Sequence, residues 1–197
     1  MPDLGLQEQA KLHFDFLVSE KSYRCIESTP YWVRFESPTV FVELLFDGKH
    51  SYELRLLVGK IGAESSENPP FSIDEILRLC RAPEAERFSL VQVTSRKTLA
   101  SFVAQLSQML RSYGADFIEG KEKRFTELSQ QRRREVESYA FERDLRMART
   151  EAESAWRKKD YDTFVKVLNP FRNALAASEV GKLEFAKKAA MRGRRGQ

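Results

Sequence analysis

The spacing of apolar positions changes along this chain, and each change predicts a different element. Leu6, Ala10, Phe14 and Leu17 recur at helical spacing and predict a short amphipathic helix over 4–18. Alternation by two then takes over. Residues 22–28 predict a first strand, Pro30 interrupts it, and Tyr31, Val33 and Phe35 alternate with Trp32, Arg34 and Glu36 in a second. The clearest local element is a hairpin at 39–61. Val40, Val42, Leu44 and Phe46 share one face of its first arm, Tyr52, Leu54, Leu56 and Val58 one face of its second, and Asp47-Gly48 supplies turn chemistry. A two-residue loop would set Val42 opposite Glu53 and split the apolar sets between faces. An odd or bulged turn that pairs Val42 with Leu54 keeps them together, and places Glu43 opposite Glu53.

Helical spacing returns further on. Residues 62–70 read as a loop; Ser72 and Glu75 form a capping box for a short helix carrying Ile73, Ile76, Leu77 and Cys80, which Pro83 ends. Phe88 to Val93 is an edge strand or an extended lead-in. A helix over 94–113, capped by Thr94, carries Leu99, Phe102, Val103, Leu106, Met109, Leu110 and Tyr113, with Gly114 expected as a left-handed C-terminal residue. Beyond Gly120 a helix from about 122 to 158 has only a sparse stripe of Phe125, Leu128, Val136, Tyr139 and Leu145. At about 1.5 Å per residue it is longer than a small domain is wide, so part of it projects or packs on another chain. Asp160 caps a helix at 161–168 that stops at Pro170, and Ser178 caps a last one at 179–191.

The expected fold is therefore α+β: a four-stranded antiparallel meander covered by helices, then a long-helix C-terminal extension. Charge follows the same division. Residues 1–120 carry 13 Lys and Arg against 17 Asp and Glu, whereas 121–197 carry 20 against 12. The expected organisation is an acidic α+β domain at 1–120, a basic helical arm at 121–191 and a basic disordered tail at 192–197.

Chemistry is sparse. The only cysteines, Cys25 and Cys80, form no CxxC and read as small buried hydrophobes in a reducing compartment, and His13 and His50 have no partner at metal-ligand spacing. No Gly-rich phosphate loop or nucleophile elbow is present, so no catalytic residue, metal or cofactor is assigned and the chain reads as non-enzymatic. The opening residues from Met1 lack the pattern of a secretory leader and no apolar run is long enough to span a bilayer, so the expectation is a cytoplasmic protein with no membrane partner. An unrecognised enzyme would need Glu43, Glu53 and Arg55 to converge in a pocket.

Two surfaces remain. Trp32, Phe41, Leu45 and Leu57 fall on the strand face opposite Tyr31, as a patch that the C-terminal helices cover or that contacts a protein; Trp156 and Tyr161 extend this protein-binding set. Arg132, Arg133 and Arg134, with Arg192, Arg194 and Arg195, make the alternative surface, one for nucleic acid. Acidic residues interleave along the arm in pairs such as Glu142–Arg146 and Glu153–Arg157, which favours a self-neutralising helix.

Ala152, Trp156, Tyr161, Phe164 and Leu168 are spaced so that the C-terminal stretch resembles a single helix-turn-helix unit of the tetratricopeptide kind, without that family's Gly and Tyr spacing. Phe16-Leu17-Val18, the strands from Tyr31 to Phe46 and the turn from Trp156 to Tyr161 give the whole a layout similar to small uncharacterised bacterial proteins, some of which resemble immunity partners of secreted toxins. That resemblance implies a bacterial interaction module, immunity-like or adaptor-like, that binds a protein partner or its own copies as a homo-oligomer. An inhibitor of a nuclease is expected to be acidic, and only the first 120 residues are. Nucleic-acid binding through the arm is the alternative.

Overall fold

The computed structural model describes residues 3–63 and 69–195, the last three of these by their backbone alone. The chain forms two compact units, Met1–Arg132 and Arg133–Gln197. Among the described residues no helix is long and apolar enough to cross a membrane.

The first unit is α+β. Its described strands are β1 (Arg24–Ser28), β2 (Trp32–Glu36), β3 (Val40–Phe46), β4 (Leu54–Lys60) and β5 (Phe71–Ser72), hydrogen-bonded in that order into one five-stranded antiparallel sheet. The fifth strand corrects the expected four. Phe71-Ser72 pairs with Val58 and Leu57 and runs into the capping box at Ser72, a length too short to show alternation. Of the two readings of 88–93, edge strand or extended lead-in, the first is not formed: the segment contributes only an isolated bridge between Gln92 and Glu53.

Register puts the apolar sets on one face, with Val33, Leu44 and Leu56 in one cross-strand row and Phe35, Val42 and Val58 in the next. The hairpin pairs Val42 with Val58, not Leu54, and Glu43 with Leu57, not Glu53. The parity is as expected, but the loop is longer. The Asp47 carboxylate accepts hydrogen bonds from the backbone N–H groups of Lys49, His50 and Ser51 at 3.0–3.2 Å, and Tyr52 takes a positive φ of 56°. These bonds close a wide turn that Asp-Gly alone does not announce, and hold the Asp47 carboxyl well below its ordinary range.

Helices α1 (Leu6–Ser19), α2 (Ile73–Leu79), α3 (Arg96–Tyr113) and α4 (Ala115–Ile118) share one core with that face. Phe14 of α1 stacks on Phe35, and the Ser107 hydroxyl of α3 donates to the His13 carbonyl at 2.6 Å. Tyr23 donates to the Ile118 carbonyl at 2.7 Å; burial pushes its phenol up to about 12, against a smaller opposing hydrogen bond with Ser37. Ser95, not Thr94, caps α3 by accepting from the Thr98 N–H. Gly114 has a φ of −92° and is not left-handed; a side chain there would collide with Leu110, and the turn to positive φ comes at Gly120. The cysteines also differ from expectation, since Cys25 is exposed and Cys80 half-buried.

Helix α5 (Glu122–Arg157) holds the boundary between the units. The second unit contains its later turns, α6 (Tyr161–Leu168), a 3₁₀ turn at Asn169–Ala174 and α7 (Ala177–Arg195). Ala148, Ala152 and Ala155 present a small-residue stripe that admits Phe164, Leu168, Leu183 and Ala186. Asp160 caps α6 through the Thr163 N–H at 3.1 Å. Arg149 forks onto Glu179 at 2.7 and 2.9 Å, fastening α7 to α5. Helix α7 continues through Arg195, past the expected end at 191, because the basic residues after Met191 are compatible with helix and no proline intervenes.

Candidate protein-contact face

The reverse side of the sheet carries the densest set of chemically capable side chains. Antiparallel register sets Trp32 opposite Leu45, with Arg55 beyond it; Arg34 opposite Glu43, with Leu57 beyond; and Glu36 opposite Phe41, with Gly59 beyond. Alternation alone puts these residues on one side, because each is one position away from a core residue.

Arg34 organises this face. Its guanidinium carbon lies 3.8 Å above the Phe41 ring centroid, its Nε donates to Glu36 at 2.7 Å, and Nη1 donates to Glu43 at 3.3 Å. The Trp32 indole N–H donates to the same Glu43 oxygen at 3.1 Å. Glu43 is 7% exposed, and its charge is matched by Arg34 and the indole dipole. Phe41 is 1% exposed. Its ring lies across Gly59, where a Cβ would fall 2.3 Å from Cζ, and Arg34 roofs it on the other side. Of the four residues expected as an apolar patch, Phe41 is thus the floor, while Trp32, Leu45 and Leu57 are half-buried around a charged centre. The patch is not purely apolar, since Arg34, Glu36 and Glu43 intervene. Sequence reasoning passed over Arg34 and Glu36 in this role; their parity with Trp32 was visible, but their partners depended on the β2–β3 register.

Trp156 and Tyr161 belong to the second unit. Together with Phe185 they form a mutually packed aromatic group, each ring pair 5.7–5.8 Å apart, and Lys182 lies 5.6 Å from the indole. Phe185 is exposed while Trp156 and Tyr161 are half-buried.

The basic set does not form one surface. Arg132 is engaged by the fold: Nε and Nη2 each reach Glu75 at 2.7 Å, Nη1 and Nη2 donate to the Pro69 and Pro70 carbonyls at 2.7 and 2.9 Å, and the guanidinium lies 4.1 Å over Phe71. Burial pushes the Glu75 carboxyl up, and the hydrogen bonds from Arg132 and Ser72 outweigh it and leave it lowered. Arg132 therefore offers nothing to a phosphate. Arg133, Arg134 and Arg192 are exposed. The side chains of Arg194 and Arg195 lie outside the described residues, as do Gly196 and Gln197 of the expected tail. Elsewhere on the arm, Arg143 binds Asp144, Arg157 binds Glu153 and Arg172 binds Glu184.

Glu43, Glu53 and Arg55 do not converge. Glu43 belongs to the Arg34 group, whereas exposed Arg55 pairs with half-buried Glu53 at 2.7 Å. Among the described residues, no three His, Cys, Asp or Glu side chains gather where they could hold a metal ion.

No protein-family model matches this chain, no curated protein matches it and no solved structure matches it. The reading of its surfaces therefore rests on their geometry.

Proposed function

We propose that this chain is a non-enzymatic protein-interaction module of the adaptor or immunity type, binding a protein partner through the outer sheet face and the helical arm. The Trp32–Arg34–Phe41–Glu43 constellation carries the reading. Trp and Arg are the residue types that dominate binding energy at protein contacts, above all when neighbours hold them in place. Here a buried ring supports the arginine, and two carboxylates fix it at 15% side-chain exposure, so little rotamer freedom is lost when a partner covers it. Leu45 and Leu57 flank it with apolar area that a partner can desolvate.

The test is capture from native lysate by the tagged full chain, with and without nuclease, using wild type and Trp32→Ala. A discrete protein retained after nuclease and lost with Trp32→Ala supports the sheet-face reading. Capture of nucleic acid, lost when Arg133 and Arg134 become Ala, replaces it with the accessory role for the basic arm. No retained protein at all refutes it.

A further inference from the structure

The side of α5 that faces away from the second unit's core has its own pattern. Leu145, Ala148, Ala152 and Ala155 form the buried stripe. At 3.6 residues per turn, the opposite side runs Val136, Ala140, Arg143, Met147, Thr150, Ser154 and Arg157, alternating steps of four and three. Val136 is 63% exposed and Met147 64%, and beside this line Tyr139 is 68% exposed. Single apolar residues on a surface are ordinary; here they share one seam of a long helix. Every residue from Arg133 to Tyr139 is exposed, so none of the described residues covers this part of the seam.

The charges beside the seam select an occupant. One flank reads Tyr139, Arg146 and Glu153; the other reads Glu137, Asp144 and Glu151, all acidic. In a parallel, in-register pair each residue of the first flank meets the residue five positions on in the second copy. That sets Arg146 against Glu151 and the Tyr139 hydroxyl against Asp144, twice each by symmetry. An antiparallel pair would bring the all-acidic flank against itself. We propose that α5 associates with a second copy of this chain as a parallel two-stranded coiled coil over residues 136–157. This names a partner for the helical arm within the proposed interaction role and is independent of the sheet face.

Two arginines weaken the seam: Arg157 at its end, which binds Glu153, and Arg143 in its middle. In a parallel pair Arg143 lies beside its own copy, and its hydrogen bonds to Asp144, at 3.0 and 2.9 Å, draw the charge toward the flank. A polar residue at such a position sets register and costs affinity. The association is therefore reversible and concentration-dependent.

Sedimentation equilibrium of the full chain is expected to show a monomer–dimer equilibrium. Arg143→Leu tightens it roughly tenfold or more, because an apolar residue replaces a charge in the seam. Arg146→Glu loosens it roughly tenfold, and adding Glu151→Arg restores it, since the pairing is reversed and kept. In a Cys25→Ser, Cys80→Ala background, Ser154→Cys forms an oxidised dimer, because like positions adjoin only in the parallel arrangement. These positions on α5 are exposed, so the folded content seen by circular dichroism stays at the background value. A monomer at all concentrations, a dimer indifferent to the Arg146 and Glu151 exchanges, or a Ser154→Cys chain that stays uncrosslinked while dimeric would each overturn the proposal. Trp32→Ala separates the readings: capture lost with the dimer intact affects the sheet face, whereas capture intact in a monomer refutes this inference alone.

Discussion

Replacing Arg132 with alanine removes a clamp that joins the loop before β5, the first turn of α2 and α5 within the first unit. The side chain makes two hydrogen bonds to Glu75 and two to proline carbonyls, and stacks on Phe71. Side-chain exposures are 25% for Arg132 and 12% for Glu75. Breaking a buried pair from one side costs about 3–5 kcal/mol, because the remaining charge keeps its desolvation penalty and loses its partner. Partial access of water to both groups places this pair at the lower end, about 3 kcal/mol. Glu75 keeps its bond to the Ser72 N–H at 2.9 Å, so the capping box survives and the loss is not total. Arg132→Lys retains charge but not the fork, and recovers less than half of it. Arg133→Ala, at an exposed neighbour, changes stability by less than about 0.5 kcal/mol. The assay is urea unfolding of the full chain in a Trp156→Phe background, where Trp32 fluorescence reports the first unit. Equal midpoints for Arg132→Ala and Arg133→Ala would refute the reasoning.

The other predictions concern separate parts of the molecule. Gly59→Ala puts a Cβ 2.3 Å from the Phe41 ring and destabilises the first unit by about 2 kcal/mol in the same assay; pairing it with Phe41→Leu recovers much of that loss. Leu183 is 0% exposed between α7 and the alanine stripe, so Leu183→Ala costs about 3 kcal/mol and raises hydrogen exchange through α6 and α7. The lowered Glu75 pKa makes its contribution complete above about 4.3, the value in an unfolded chain, and lost as pH falls further toward the folded value. The stability gap between wild type and Glu75→Gln should therefore shrink as pH falls below about 4.3 in urea titrations; a gap constant with pH contradicts the ionic role of Glu75.

What the sequence conveyed and what it withheld follow from the range of the interactions involved. Amphipathic periods are local, so α1, α3, α5 and α6 could be read from side chains one or two turns apart. The hairpin parity was equally legible, because only an even register keeps Val42, Leu44 and Phe46 on the face of Leu54, Leu56 and Val58. The register itself was not, since it depends on a seven-residue turn from Asp47 to Glu53 held by one carboxylate, and backbone N–H groups carry no mark in the sequence. The same limit applies to function. Arg34 and Glu43 are unremarkable as separate letters; the pairing of β2 with β3 sets them opposite one another. Arg132, Arg133 and Arg134 read as one basic cluster, yet rotation by 100° per residue turns one into a clamp on Glu75 and leaves its neighbours exposed. A charge run on a helix is therefore a set of directions, not a patch. The flanks of α5 are the converse case: which residues share a flank follows from spacing alone, and the proposed parallel pairing rests on that spacing.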